Sequence, residues 1–369
     1  MSSATDLVLL GVGGAGIYMA HGIRKAFGED MRVYAVDTDA SSDSSDMPFL
    51  LLGGNRLSGR GTGGDVVAGR MATEDSIELI DQATDGARIV IVVTALGGGT
   101  GSGATFEIAK RLKNNGIATL VIATMPFIME GDERRSRARG SVAMIQDTAS
   151  SSIFVDLDRI AGDTDNMKEA MERQLIDMLA SAVALFWRVL AKPGYIHLDI
   201  ERLRKIILKA GRSCFAATTA RGASRAMQAT QAIIHSPLLA DNVEKPGAIL
   251  CGILAGDDLR LSEVAEISAG IRETFGSNCT FELATVNDEE NFAGSISVVV
   301  MLLEAAEARS EQQGEHKAGK GMRGSTSAKN GALPHSRNRG RFNEIEPTVY
   351  DGEDLDVPTY LRKSIDIEN

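Results

Sequence analysis

Seven residues, Gly97 to Gly103, read GGGTGSG between an unbroken apolar run, IVIVVTA, and a stretch with helical spacing. Five glycines and two hydroxyls in one short segment constrain the fold more than any other feature, because glycine belongs where a backbone must turn sharply or approach another group closely. Glycines let backbone N–H groups reach phosphate oxygens, Thr100 and Ser102 add hydroxyls, and a helix starting near Ala104 supplies a field favourable to an anion. The preceding run is continuous rather than alternating, the pattern of a strand covered on both faces in a parallel sheet.

The same alternation opens the chain. DLVLLGV precedes a Gly-rich turn, IYMAHGIRKAFG has helical spacing, and MRVYAVDTD gives a second strand. Further strands are expected at Gly116–Phe127 and Ser151–Asp158, so residues 1–165 are predicted to form an α/β nucleotide-binding domain. In 166–192, Met171, Leu175, Met178, Ala182, Leu185 and Val189 make one apolar stripe, predicting a single long helix of about 39 Å that joins two domains. Helix and strand patterns then predict an α+β domain over 193–303. Residues 304–350 lose the apolar pattern and read as a disordered linker, locally basic, and 351–369 regain it as a short docking tail. The formal charge of −11 over 369 residues argues against nucleic acid as the main partner. Cys214, Cys251 and Cys279 lack metal-ligand spacing and are expected to be buried thiols. No apolar run approaches the roughly 18 residues of a membrane span and no signal peptide is evident, so a cytoplasmic location is expected.

GVGGAG, Gly11 to Gly16, fits G-x-G-x-x-G, with Asp37 and Asp39 at the end of the next strand. Alone it suggests a dinucleotide-dependent oxidoreductase. A second Gly-rich loop and a third, GRGTGGDVVAG from Gly59 to Gly69, instead point to a nucleoside triphosphate. No G-x-x-x-x-G-K-[ST] occurs, which excludes a P-loop.

GGGTGSG resembles the tubulin signature, and the resemblance to the tubulin/FtsZ family spans nearly the whole chain. GVGGAG is similar to its first phosphate loop, DTDA (Asp37–Ala40) to its NTDA segment, GRGTGGD to its γ-phosphate loop, and TMPFIMEGDERR (Thr124–Arg135) to its TxPFxxEGxxR stretch. The resemblance implies a tubulin/FtsZ fold, GTP or GDP as ligand with magnesium as counter-ion, and head-to-tail filaments at the division site. It implies nucleotide contacts from Gly13, Gly14, Ala15, Tyr18, Asp37, Gly61, Thr62, Gly63, Gly64, Gly97, Gly98, Gly99, Thr100, Gly101, Ser102, Glu130, Arg134 and Asp177. DLDVPTYLRK (Asp354–Lys363) resembles the peptide by which the family binds membrane adaptors, making membrane contact indirect.

KPGYIHLDIERLR (Lys192–Arg204) resembles the loop whose NxDxxD carboxylates act on GTP in the neighbouring subunit. Asp199 keeps the first acid, but His197 stands for the Asn and Arg202 for the second acid, with Glu201 one residue away. The resemblance therefore implies slow hydrolysis, with Arg202 facing the phosphate or simply solvated. The guanine-stacking Phe is also absent, and Tyr18 is the candidate to replace it beside Asp177.

Overall fold

The computed structural model describes residues 6–27, 31–43, 46–161, 183, 188, 194–239, 246–276, 278–304, 349–350 and 353–354. The expected long helix lies outside them, apart from Val183 and Arg188, which are both helical. Most of the linker and tail also lie outside.

β1 (Leu7–Val12), β2 (Arg32–Asp37), β3 (Phe49–Leu51), β4 (Ile89–Ala95), β5 (Ala118–Met125) and β6 (Ser151–Asp156) form one sheet in the order β3-β2-β1-β4-β5-β6. Each neighbouring pair is parallel. Their apolar runs are continuous because successive residues enter different cores. Leu7, Leu9, Ile89 and Ile91 pack with Ile17, Ala20 and Ile23 of α1 (Gly13–Phe27) on one face. Val8, Leu10, Val90 and Val92 pack on the other with α3 (Val66–Asp75), α4 (Ile77–Ala83), α5 (Gly99–Asn114) and α6 (Asp132–Thr148), the short α2 (Gly54–Leu57) lying between β3 and α3. The sixth strand ends two residues before expectation, where α7 (Leu157–Ala161) begins.

After α8 (Ile200–Lys209) comes a second sheet, β7-β10-β8-β9, built from β7 (Ser213–Arg221), β8 (Pro246–Ala255), β9 (Thr280–Asn287) and β10 (Ser295–Glu304). It is mixed, because β8 and β9 run parallel while β10 is antiparallel to both neighbours. One face packs on α9 (Arg225–Ile234) and α10 (Leu261–Phe275); α11 (Glu289–Phe292) follows β9. The other face, with Phe215, Leu250, Val299 and Met301, joins Leu203 and Ile207 of α8 in the core of the first sheet. One apolar core is thus shared by the two sheets. Cys214 and Cys251 are buried, burial pushing the Cys251 thiol up to about 12, while Cys279 is half-buried. Among the described residues no helix is long and apolar enough to cross a membrane.

In the second compact unit, 318–369, the described strands Val349–Tyr350 (β11) and Glu353–Asp354 (β12) form a hairpin. This strand pair straddles the expected linker–tail boundary.

Helix α5 begins at Gly99, five residues earlier than the expected Ala104. Glycine disfavours a helix interior by about 1 kcal/mol, so the loop reading was natural, but close packing overrides propensity here. A Cβ on Gly103 would lie 2.3 Å from the carbonyl oxygen of Val66 in α3, and one on Gly69 of α3 would lie 2.4 Å from that of Gly99. The two helices touch main chain to main chain.

Two outcomes follow. Gly103→Ala should lower stability by about 2 kcal/mol through forced displacement, whereas Gly140→Ala in α6, with nothing within 4 Å, should raise it by about 0.5–1 kcal/mol; chemical denaturation reads both. Beside the second sheet, buried Arg225 of α9 donates from Nε and Nη2 to Glu263 and from Nη1 to Asp258. The Arg225 hydrogen bonds hold the Glu263 carboxyl below its ordinary value of about 4.5. A depressed folded pKa adds stability above the unfolded value and loses it as pH falls through the folded one, so unfolding free energy should fall below about pH 4.5, and less steeply in Glu263→Gln.

Candidate functional site

The strand order reverses between β1 and β4, and at the carboxyl ends of a parallel sheet such a reversal opens a crevice suited to ligands. Both expected phosphate loops lie there. Gly13, at φ +74°, faces the Gly101 amide at 3.3 Å from where its Cβ would be. Gly16 is pressed on the Val93 carbonyl oxygen, and Gly101 on that of Ala95. Gly99 faces Thr62 Oγ1 and the Asp65 main chain, which seats the third loop directly on the start of α5. Gly97, at φ +95°, lies under Arg134. Most of these glycines therefore serve the protein's own close packing.

Three do not. Added Cβ atoms on Gly14, Gly98 and Gly63 would meet nothing within 4 Å, one residue from each of the three loops. Gly98 also starts α5 without a side-chain cap, leaving the first amides of a helix available to an anion. The hydroxyls turn inward: Thr100 Oγ1 is 2.7 Å from Thr38 Oγ1, and Ser102 Oγ accepts from the Gly97 amide at 2.9 Å. Asp37 is also buried, accepting from the Thr38 amide and Ser42 Oγ. These three brace the loops instead of lining open space. Asp39 caps the turn that follows, and bonds from Ser41 hold its carboxyl below the usual range.

Beside the open glycines a cavity is lined by Ala15, Tyr18, Leu96, Pro126, Glu130 and Arg134. Tyr18, in that lining, is 44% exposed. Glu130 accepts from the Phe127 amide and pairs with Arg134 at 2.9 Å. Gly61, Gly63 and Gly64 all have positive φ, which makes the third loop a glycine-only path. Asp177 lies outside the described residues.

The remaining expected residues sit elsewhere. Asp199 caps α8, its Oδ1 accepting from the amides of Glu201 and Arg202. Glu201 pairs with Arg88, which precedes β4, and Arg204 donates to the Gly116 carbonyl, which precedes β5. These are the amino ends of the strands. His197 and Asp199 are exposed at that edge, separated from the glycine loops by the length of the sheet, about 20 Å at ~3.3 Å per residue.

Arg202 is a largely solvated residue in the first turn of α8, its side chain 64% exposed, and it is tethered to one acid. It donates from Nε to Glu282 Oε1 at 2.8 Å and its Nη2 lies 2.6 Å from the same oxygen. Glu282 is 7% exposed in β9 and escaped the sequence reading. A lone acid within the apolar strand TFELATV was the available signal. A buried carboxylate needs a counter-ion, and Arg202 provides it while keeping most of its own surface in water.

Fold and site together define a two-domain nucleotide-binding protein whose phosphate loops lie at the switch point of a parallel sheet and whose carboxylate-bearing loop lies at the opposite edge. Residues 6–165 match the GTPase domain of the Tubulin/FtsZ family, and 211–304 match the FtsZ family C-terminal domain. The chain is 30% identical over 288 residues to the cell division protein FtsZ of Pseudomonas aeruginosa, covering 76% of this chain and 73% of that one. It is 32% identical over 290 residues to FtsZ of Rhizobium radiobacter, covering 77% of this chain and 49% of the relative. Among solved structures, an empty FtsZ dimer of M. jannaschii superposes with a TM-score of 0.75 at 24% identity, over 82% of this chain and 88% of that one. CetZ2 of Haloferax volcanii, a GTPγS-bound protofilament, gives 0.68 at 21%, over 85% and 98%. This chain belongs to the tubulin/FtsZ family and has its fold.

The Arg202–Glu282 pair has a measurable consequence. In a double-mutant cycle of Arg202→Gln and Glu282→Gln, denaturant unfolding should give a coupling of about 1 kcal/mol, modest because Arg202 is largely solvated. Zero coupling would separate the two residues energetically.

Proposed function

We propose that this chain binds GTP across the rim marked by Gly14, Gly98 and Gly63 and assembles head to tail into filaments that serve cell division. One observation carries this reading: the open phosphate rim and the Asp199 loop occupy opposite edges of one rigidly packed sheet. A single chain cannot bring them together. A second copy, stacked edge to edge, places the Asp199 loop of one subunit over the nucleotide of the next, and such a heterologous contact repeats without closing. The similarity to FtsZ division proteins and to a nucleotide-bound CetZ2 protofilament supports it. Exposed Tyr195 at 76% and Ile196 at 37% beside that loop, with Ile128 and Met129 at 64% and 74% beside the nucleotide rim, offer apolar surface at both edges.

In this reading Ala15, Tyr18 and Asp177 hold the nucleoside, Glu130 and Arg134 its sugar and phosphates, and the α5 N-terminus the phosphates. Magnesium fits as a counter-ion on the phosphates, to which it binds with most of its waters retained. Hydrolysis needs the attacking water positioned against the terminal phosphate. Asp199 has Oδ2 to offer, while Glu201 is engaged by Arg88 and Arg204 and Arg202 by Glu282. One carboxylate therefore stands where the family loop has two, and turnover is slow. The Asp354–Lys363 tail docks an adaptor at the membrane.

A second reading, a filament-forming scaffold that does not hydrolyse GTP, is favoured by the Arg202–Glu282 pair alone. Phosphate release against protein concentration separates them. Slow turnover that rises per subunit with concentration, and rises about tenfold or more in Arg202→Asp, fits the first. Absence of turnover at every concentration in the wild type fits the scaffold, and concentration-independent turnover contradicts a shared site.

A further inference from the structure

Helix α6 crosses both the second and the third glycine loops. Arg134, in its first turn, lies against Gly97, with Cγ 2.6 Å from where a Cβ would be. Arg137, three residues on and so on the same helical face, lays its guanidinium on Gly64, with Nη1 at 3.3 Å, Cζ at 3.7 Å and Nη2 at 3.8 Å from the corresponding point. Gly64 has φ +89° and follows Gly63 at +60°, so this turn disfavours a side chain by its backbone conformation, with the guanidinium in contact above it.

The Arg137 guanidinium is under-used by the protein. Its Nε is buried without an acceptor. Its Nη1 bonds Glu133 at 3.2 Å, but Glu133 is 87% exposed and therefore a weak competitor for the charge. A planar fork of donors over a glycine turn matches the oxygens of a phosphate better than a point charge does.

We propose that Arg137 is a specificity-determining residue that recognises the terminal phosphate of the nucleotide through the Gly61–Gly64 turn, so that the chain distinguishes a nucleoside triphosphate from a diphosphate. The proposal rests on the nucleotide site described above and adds the device by which that site counts phosphates. Arg134 serves the second loop and is shared by both nucleotide states; Arg137 serves the third loop, where only the longer phosphate chain reaches. The i, i+3 spacing from Arg134 places the two cations side by side over the two loops.

The test is fluorescence titration of the full chain with N-methylanthraniloyl GTP and GDP in magnesium buffer, below the concentration at which light scattering detects assembly. Arg137→Gln should weaken GTP about tenfold, the scale of one lost charge-assisted contact, and leave GDP within about twofold of the wild type. Arg137→Lys should recover part of the loss. Arg137 is half-buried with one exposed ion partner, and matching thermal melts of the variants establish that they fold. Equal weakening of GTP and GDP, or no change in either, overturns the proposal while leaving the nucleotide site intact. A wild type that binds neither nucleotide overturns the site itself and the proposal with it.

Discussion

Everything at the nucleotide edge depends on main chain packed against main chain. Gly16 on the Val93 carbonyl, Gly101 on that of Ala95, Gly99 on the backbone of Asp65 and Gly103 on the Val66 carbonyl bring β1, β4, α5 and the start of α3 within contact that any Cβ would prevent. Close packing resists displacement because the neighbouring atoms are themselves fixed. The loops are therefore rigid before any ligand arrives, and the internal bonds of Asp37, Thr100 and Ser102 tighten them further. Gly14, Gly98 and Gly63 are left facing open space, and in the proposed reading phosphate approaches there.

The opposite edge is fixed by different means. The apolar core shared between the sheets runs through Leu203 and Ile207 of α8, and the charged network of Asp6, Arg88, Glu201 and Arg204 ties the start of that helix to the amino ends of the strands. Arg202 is tied in turn to Glu282 in the second sheet. The loop bearing Asp199 is thus held by both domains, so a displacement of one sheet against the other is transmitted to it. In the proposed filament, that would give assembly a physical route to the chemistry.

Much of this was legible in the sequence because apolar continuity and glycine clustering are local signals. IVIVVTA could only be a doubly covered strand, and GGGTGSG located the crevice. The helix start was misplaced because glycine propensity is local, whereas the need for glycine at 99, 101 and 103 comes from α3 and β4 across the fold. For the same reason the sequence could not show that the Thr100 and Ser102 hydroxyls bond Thr38 and the Gly97 amide, since a hydroxyl's partner within the protein is set by tertiary packing. Glu282 and Arg137 were missed: the first is a single acid in an apolar strand, the second one arginine among four in DERRSRAR, and neither pattern reveals the partner that gives it meaning.

The account stands or falls on a site completed only between copies, with a nucleotide that outlasts assembly. Right-angle light scattering after one limiting addition of GTP with magnesium tests this most directly. The signal should rise with GTP, stay flat with GDP, and persist long after the addition, because a single free carboxylate turns the nucleotide over slowly. No rise at any protein concentration, or a rise equal for GTP and GDP, would contradict it.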